Sequence, residues 1–219
     1  MDVAYIKYFF KAFLPLLDRV KDRAAIRFLY RHTAFFTIQK GKPLFRPNST
    51  AANGNIIIIA DGLVNGFLLD KDAEQVNIWL GKPGSIYICE DFSFTDHTFN
   101  LLAIEDTVIF IIDKSELEEG CAWYPALDSL FNFYLLRKAM ADVNDRNILF
   151  RMQNIENKAR LFRRMYPGLS ERLPAELLLS YLEPSSTFIP EHDIQLEDIF
   201  SEKLLHNAWS LMLKETYLD

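Results

Sequence analysis

Apolar residues change their spacing twice along this chain. Over the first 31 residues Ile6, Phe9, Phe10, Phe13, Leu17, Ala25, Ile26 and Leu29 recur at three- and four-residue intervals, the period of helices that bury one face. From Thr33 the period falls to two, and short apolar runs alternate with turn signals. The runs cover 35–38, 44–45, 56–59, 63–69, 76–80, 86–88, 101–104 and 108–112. Lys40-Gly41, Asn53-Gly54, Asp61-Gly62, Asp70-Lys71-Asp72 and Lys82-Pro83-Gly84 punctuate them. Eight short runs at this spacing predict a small antiparallel barrel or roll.

Between Pro125 and Pro167 the chain has neither glycine nor proline, which permits one very long helix or two joined ones. Within it Phe133, Leu136, Met140, Val143, Asn147 and Phe150 are spaced 3,4,3,4,3, the a/d rhythm of a two-stranded coiled coil. Asn147 takes an a-type position, where a buried amide fixes register at some cost in stability. The competing reading packs this stripe on the chain's own roll. Leu127, Leu130, Phe131 and Leu135 already supply another apolar face, which favours a homodimer seam.

Residues 153–182 then read as a basic amphipathic helix ending at Tyr166-Pro167-Gly168, followed by Pro174 and a second apolar helix over 175–182. That is how a bacterial helix-turn-helix domain begins. Pro184 and Pro190 cannot both sit inside one following helix. Residues 194–218 close with a broad helical stripe that includes Leu196, Phe200, Leu204, Trp209 and Leu213. Such a stripe needs a surface to cover it.

Composition narrows the class. Half of the residues are apolar, so the chain is globular. No run approaches the roughly 18 to 20 apolar residues of a membrane span, and no basic region precedes an apolar core at the amino terminus. Cys89 and Cys121 are too few for a disulfide framework or a cysteine-held cluster. A cytoplasmic protein is expected. Charge is unevenly placed: residues 1–145 carry 15 basic and 19 acidic groups, 146–172 carry 7 and 2, and 173–219 carry 2 and 9. A nucleic-acid reader concentrates positive charge on the element that enters the groove; here it sits just before that element. Lys158, Arg160, Arg163 and Arg164, with Arg151, are candidates for contact with a DNA backbone. The alternative is a solvated helix face in which Glu156 pairs with Arg160.

The order of helix, eight-run roll, long helix, basic helix and two-helix tail resembles the cyclic-AMP receptor protein/FNR (Crp/Fnr) family of transcription regulators. The segments that carry the resemblance are IIIIADG, LLDKDAEQVNIW, KPGSIYICEDFSF, AIEDTVIFIIDKSELE and NKARLFRRMYPGLSERLPAELLLSYL, the last in the form common in Bacteroides-type bacteria. They span about residues 5–182, roughly four-fifths of the chain. The resemblance implies an α+β protein: a cyclic-nucleotide-binding-like double-stranded β-roll over 1–124 with N-terminal helices, a long dimerisation helix over 125–152, and a small helical C-terminal domain over 153–219. It also implies that an effector bound in the roll shifts the long helix and reorients two tails on DNA.

Two places depart from the family pattern. Members that bind cyclic nucleotide use a glycine–glutamate pair followed by an arginine that neutralises the cyclic phosphate. Here Glu90 stands where the ribose-binding glutamate falls, but no Arg or Lys occurs between Lys82 and Lys114. A phosphate without a cationic partner among acidic neighbours is costly, so cyclic AMP is not expected as the ligand. No cofactor or metal is expected either. Glu90, Asp91, Ser93, Thr95, His97 and Thr98 are the candidate pocket residues for an unknown neutral or cationic effector. The plainer alternative is a solvated loop with Ser93 and Thr95 bonded to backbone. In the tail, Glu183 replaces the glycine expected in the helix-turn-helix turn, and no basic wing strands follow. The sequence lacks G-x-S-x-G, P-loop, H-E-x-x-H and G-x-G-x-x-G patterns, so an enzyme is not expected.

Overall fold

The structure is a computed structural model that describes residues 3–44, 54–69, 75–88 and 98–182. Among these, strands β1 (Thr33–Ile38), β2 (Asn55–Asp61), β3 (Val64–Leu69), β4 (Gln75–Gly81), β5 (Ile86–Ile88), β6 (Thr98–Ala103) and β7 (Thr107–Asp113) follow one another along the chain. They pair antiparallel into two sheets, with orders β1-β7-β2-β5 and β4-β3-β6. This is the double-stranded roll of an α+β protein. The expected strand at 44–45 is not one: an isolated bridge joins Pro43 to Leu102, and Phe45 lies outside the described residues. Proline has no N–H with which to extend a ladder, and the pairing there amounts to three backbone bonds: Gly41 N–H to Ala103 O at 2.8 Å, Ala103 N–H to Lys42 O at 3.0 Å and Leu44 N–H to Leu101 O at 2.8 Å.

The apolar run of β2 explains how the layers stack. A strand buried on both faces needs no polar alternation, and the four isoleucines divide by parity. Ile56 and Ile58 face a cluster with Phe9, Phe13, Leu29, Ile86, Phe110, Ile112 and Leu117, under the N-terminal helices. Ile57 and Ile59 face Val64, Trp79, Leu101, Ala103 and Ile109, between the sheets. Gly62 makes the β2–β3 corner with φ +88°, and a Cβ there would stand 2.5 Å from Thr107 Oγ1 and 2.6 Å from the Asp106 carbonyl oxygen. Only glycine fits both the left-handed backbone and that gap.

Helices α1 (Val3–Phe13) and α2 (Arg23–Arg31) precede the roll, as their spacing predicts. Helix α3 (Lys114–Trp123) follows it. Asp113 caps α3 by accepting the Glu116 N–H at 3.0 Å. The bonds from the Ser115 hydroxyl and the Glu116 N–H hold this carboxyl below its ordinary pKa. Beyond Pro125, the segment expected to be one long or two joined helices comprises α4 (Pro125–Ser129), a π-helical turn (Leu130–Leu135) and α5 (Leu136–Arg151), after which the helix breaks. Asn154 then caps α6 (Ile155–Met165) by accepting the Asn157 N–H at 3.0 Å. Gly168, with φ +73°, turns the chain toward α7 (Ala175–Leu182).

The chain divides into two compact units, Met1–Arg146 and Asn147–Asp219. Most of α5 therefore belongs with the roll. In the second unit Phe162 is fully buried, with ring centroids 5.0 Å from Tyr166 and 6.0 Å from Tyr181, and Leu169, Leu173, Leu178 and Leu182 close around them. No described helix is long and apolar enough to cross a membrane.

Candidate functional site

Helix α5 and the π-helical turn before it present two faces. On the inner one Leu135, Asp142 and Arg146 are buried, each spaced from the last by whole helical turns. The Arg146 guanidinium donates to the main-chain carbonyl of Asn77 in β4. The reason Asn77 is available lies in the register. Antiparallel partners share a face, and the β3–β4 pairing slips between Gly66 and Phe67, so that Gly66 opposes Trp79 while Phe67 opposes Asn77. The slip places Asn77 on the face of Asn65 and Phe67, away from Trp79. Asn65 Nδ2 donates to Asn77 Oδ1 at 2.6 Å and Gln75 Nε2 donates to the same oxygen at 2.7 Å.

One turn earlier on the same inner face is Asp142. Burial raises its carboxyl above the usual range; Ser85, Lys138 and Lys82 pull the other way, and Asp145 adds to the rise. Neither Asp142 Oδ2 nor Ser85 Oγ has a partner within hydrogen-bond distance, so the serine acts on the carboxyl by proximity and burial dominates. Lys82, at the start of the β4–β5 turn, is partly buried and its ammonium is correspondingly lowered, with Asp142 opposing the shift. The sequence reading singled out neither Asp142 nor Arg146. Their spacing from Leu135 was the signal that they belong to a buried face.

The outer face carries the predicted seam. Phe133 is 63% exposed, Met140 58% and Val143 55%, and Leu136, Asn147 and Phe150 are exposed as well. The Arg137 guanidinium sits over the Phe133 ring, 5.5 Å from its centroid. In a single chain Phe133, Met140 and Val143 are more than half exposed, whereas Leu127, Leu130 and Leu135 are buried in the core.

Of the predicted pocket residues, Glu90, Asp91, Ser93, Thr95 and His97 lie outside the described residues. Thr98 opens β6, where its backbone pairs with Leu69. Between the sheets the described residues form an apolar cluster, with Trp79 and Tyr87 in ring contact at 5.4 Å. Among the described residues no three His, Cys, Asp or Glu side chains gather as a metal-ligand set.

The basic helix requires one correction. Lys158 is 8% exposed, and its ammonium donates to the Leu182 carbonyl at 2.9 Å. It satisfies the C-terminal end of α7, where a cation is favoured by the orphan carbonyls and the helix dipole, and so does not meet a phosphate in this arrangement. Arg164 is exposed, and Arg160 and Arg163 are half-buried. Glu183 and the closing stripe over 194–218 lie outside the described residues.

No family model and no curated protein matches the chain. Solved structures do. A Eubacterium rectale protein assigned to the crp/fnr family of transcriptional regulators has 11% identity and a TM-score of 0.52, covering 72% of this chain and 74% of that one. A mutant of CooA from Carboxydothermus hydrogenoformans has 17% identity and a TM-score of 0.47, over 68% of this chain and 93% of that one. FixK2 from Bradyrhizobium japonicum has 15% identity and a TM-score of 0.45, over 61% and 67% respectively. At these identities the likeness concerns architecture, and the chain shares the fold of the Eubacterium rectale structure over 72% of its length.

Proposed function

We propose that the protein is a homodimeric, effector-responsive transcription regulator of the Crp/Fnr type and not an enzyme. The observation that carries this reading is the apolar stripe on the outer face of α5, left uncovered in a single chain beside a roll of that fold. Residues 1–124 form the effector domain, 125–152 the dimer helix and 153–219 a divergent helix-turn-helix domain, in a cytoplasmic protein. Phe133, Leu136, Met140, Val143, Asn147 and Phe150 make the seam. The loop residues Glu90, Asp91, Ser93, Thr95, His97 and Thr98 face an effector that is not a cyclic nucleotide. Arg160, Arg163 and Arg164 supply the DNA-backbone contacts. Fluorescence anisotropy with genomic fragments tests DNA binding. Binding at about 50 mM salt that weakens steeply with added salt is expected, because phosphate neutralisation releases counterions.

A second reading has its own support. Residues 173–219 carry 9 acidic and 2 basic groups, and Lys158 is committed inside its own unit. Both favour an effector-binding or protein-interaction module that no longer touches DNA. Absence of binding at low salt selects this reading over the first. Calorimetry with cyclic AMP is expected to show no heat under either.

A further inference from the structure

A half-open cavity of about 300 Å³ lies on the outer side of the first sheet, away from the space between the sheets. Its inner wall is Phe13, Ile58, Ile86 and Leu135, all buried and apolar. Lys11 and Tyr134 also line it. A second, more open depression that shares Lys11 and Pro15 with it is lined by Arg19 as well. The nearby carboxylate of Asp61 accepts the Tyr8 hydroxyl at 3.0 Å. At roughly 30 Å³ per water-sized group, the space holds about ten non-hydrogen atoms.

The cavity also abuts an irregular element. Tyr134 and Leu135 belong to the π-helical turn, in which the Leu136 N–H reaches back to the Phe131 carbonyl. A π turn contains one residue more than the α-helix requires, and such turns recur at functional sites. Its conversion to α-helix rotates all that follows by about 100°, one residue's share of a 3.6-residue turn.

We propose that this cavity is a ligand site for a small, mainly apolar monocarboxylate. The hydrocarbon body lies against Ile58, Ile86 and Leu135, and the carboxylate meets Lys11. An occupant touches the π turn directly and biases the helix that begins there. Only this last consequence rests on the regulator reading; the binding itself does not.

The test uses the full chain and octanoate, with octylammonium and 1-octanol as matched probes, in calorimetry without DNA. Octanoate is expected to bind at one site with a Kd of about 0.1–1 mM, the range a ten-atom ligand supports, and to slow hydrogen exchange of amides 130–136. Ala12→Phe, which fills the cavity, is expected to abolish binding, and Leu16→Trp at the rim to weaken it should the first variant fail to fold. Lys11→Ala is expected to weaken octanoate about tenfold while leaving octanol unchanged. No octanoate binding, or binding unaltered by both filling variants, overturns the site. Octylammonium binding as tightly as octanoate overturns the anion assignment. DNA binding and oligomeric state are measured separately, so failure here and failure of the regulator reading are told apart.

Discussion

Replacing Val143 by glutamate separates a dimer helix from one that merely covers its own roll. Val143 is 55% exposed in the single chain, so roughly half of its side chain is left to bury in a partner. Full burial of a valine contributes about 1.5–3 kcal/mol, and half of that is about 1 kcal/mol per copy, or about 2 kcal/mol across a two-fold seam. That alone weakens association about thirtyfold at 1.4 kcal/mol per decade. Two carboxylates brought to the same seam must also be desolvated beside each other, which extends the loss to at least two orders of magnitude. The single chain loses almost nothing, since glutamate is the better helix former and the position is exposed. Leu135→Ala is the converse: it empties a buried core position and is expected to lower unfolding stability by about 2–5 kcal/mol without acting on the seam directly. Sedimentation equilibrium over a concentration series, paired with urea melts, reads both. Equal molecular mass for Val143→Glu and the unmodified protein throughout the series refutes the seam.

Four further substitutions, two of them a glycine pair, test how the fold is held. Asp142 has a folded-state pKa above its unfolded value, so the native state binds more protons and stability falls as pH rises through that interval. Asp142→Asn removes this loss and is expected to be the more stable protein at neutral pH, with parallel pH profiles in urea melts as the contrary result. Gly62→Ala meets both a left-handed backbone and a Cβ clash 2.5 Å from Thr107 Oγ1, whereas Gly84, with φ +87°, has nothing within 4 Å. Calorimetric melting should therefore show a larger fall in Tm for Gly62→Ala than for Gly84→Ala, which costs about 1–2 kcal/mol for its backbone alone. Lys158→Met keeps the side chain's stem but leaves the Leu182 carbonyl without its donor, at a cost of about 1–3 kcal/mol. Faster hydrogen exchange in α7 is the expected readout, and unchanged exchange there means the bond contributes nothing.

The strands were legible because the apolar runs are short and bounded by turn residues, and those at 56–59 and 108–112 are strongly β-branched. The unbroken run Ile56–Ile59 is covered on both faces, as a strand without polar alternation can be. What sequence periodicity missed has local physical causes. Helix α3 is short and weakly amphipathic, with Leu117 and Gly120 its buried positions, so its clearest mark was the Asp113 cap followed by Glu116. The π turn adds a residue without glycine or proline to announce it. The slip between Gly66 and Phe67 exchanges the faces of β4, and only pairing reveals that Asn77 shares a side with Asn65. Lys158 misled for a similar reason: on a basic helix it reads as solvated, yet Ala159 and Phe162 beside it are core residues. A long stem lets lysine sit on that buried face while its ammonium reaches a carbonyl. The outer stripe of α5 was readable because its spacing is strict and its alternative surface was already supplied by Leu127 and Leu130.

The two faces of α5 suit a helix with a defined position better than an apolar contact on both sides would. Apolar side chains keep much of their contact when a helix slides or rolls by a fraction of a turn, because dispersion and burial have no preferred direction. A guanidinium bonded to one carbonyl does not, since hydrogen bonds weaken steeply with angle. Arg146 on the Asn77 carbonyl, supported by the Asn65–Asn77–Gln75 amides, therefore fixes the helix against one strand. A small displacement breaks that bond and leaves buried polar groups unpaired, so it is disfavoured. Asp142 works in the opposite sense, because its burial carries an unfavourable charge cost that outward movement relieves. One inner face thus contains a group that holds the helix in and a group that favours its release. Under the proposed regulator reading, such opposition would keep two helix positions close in energy, and a ligand would shift the balance only by its differential affinity for them.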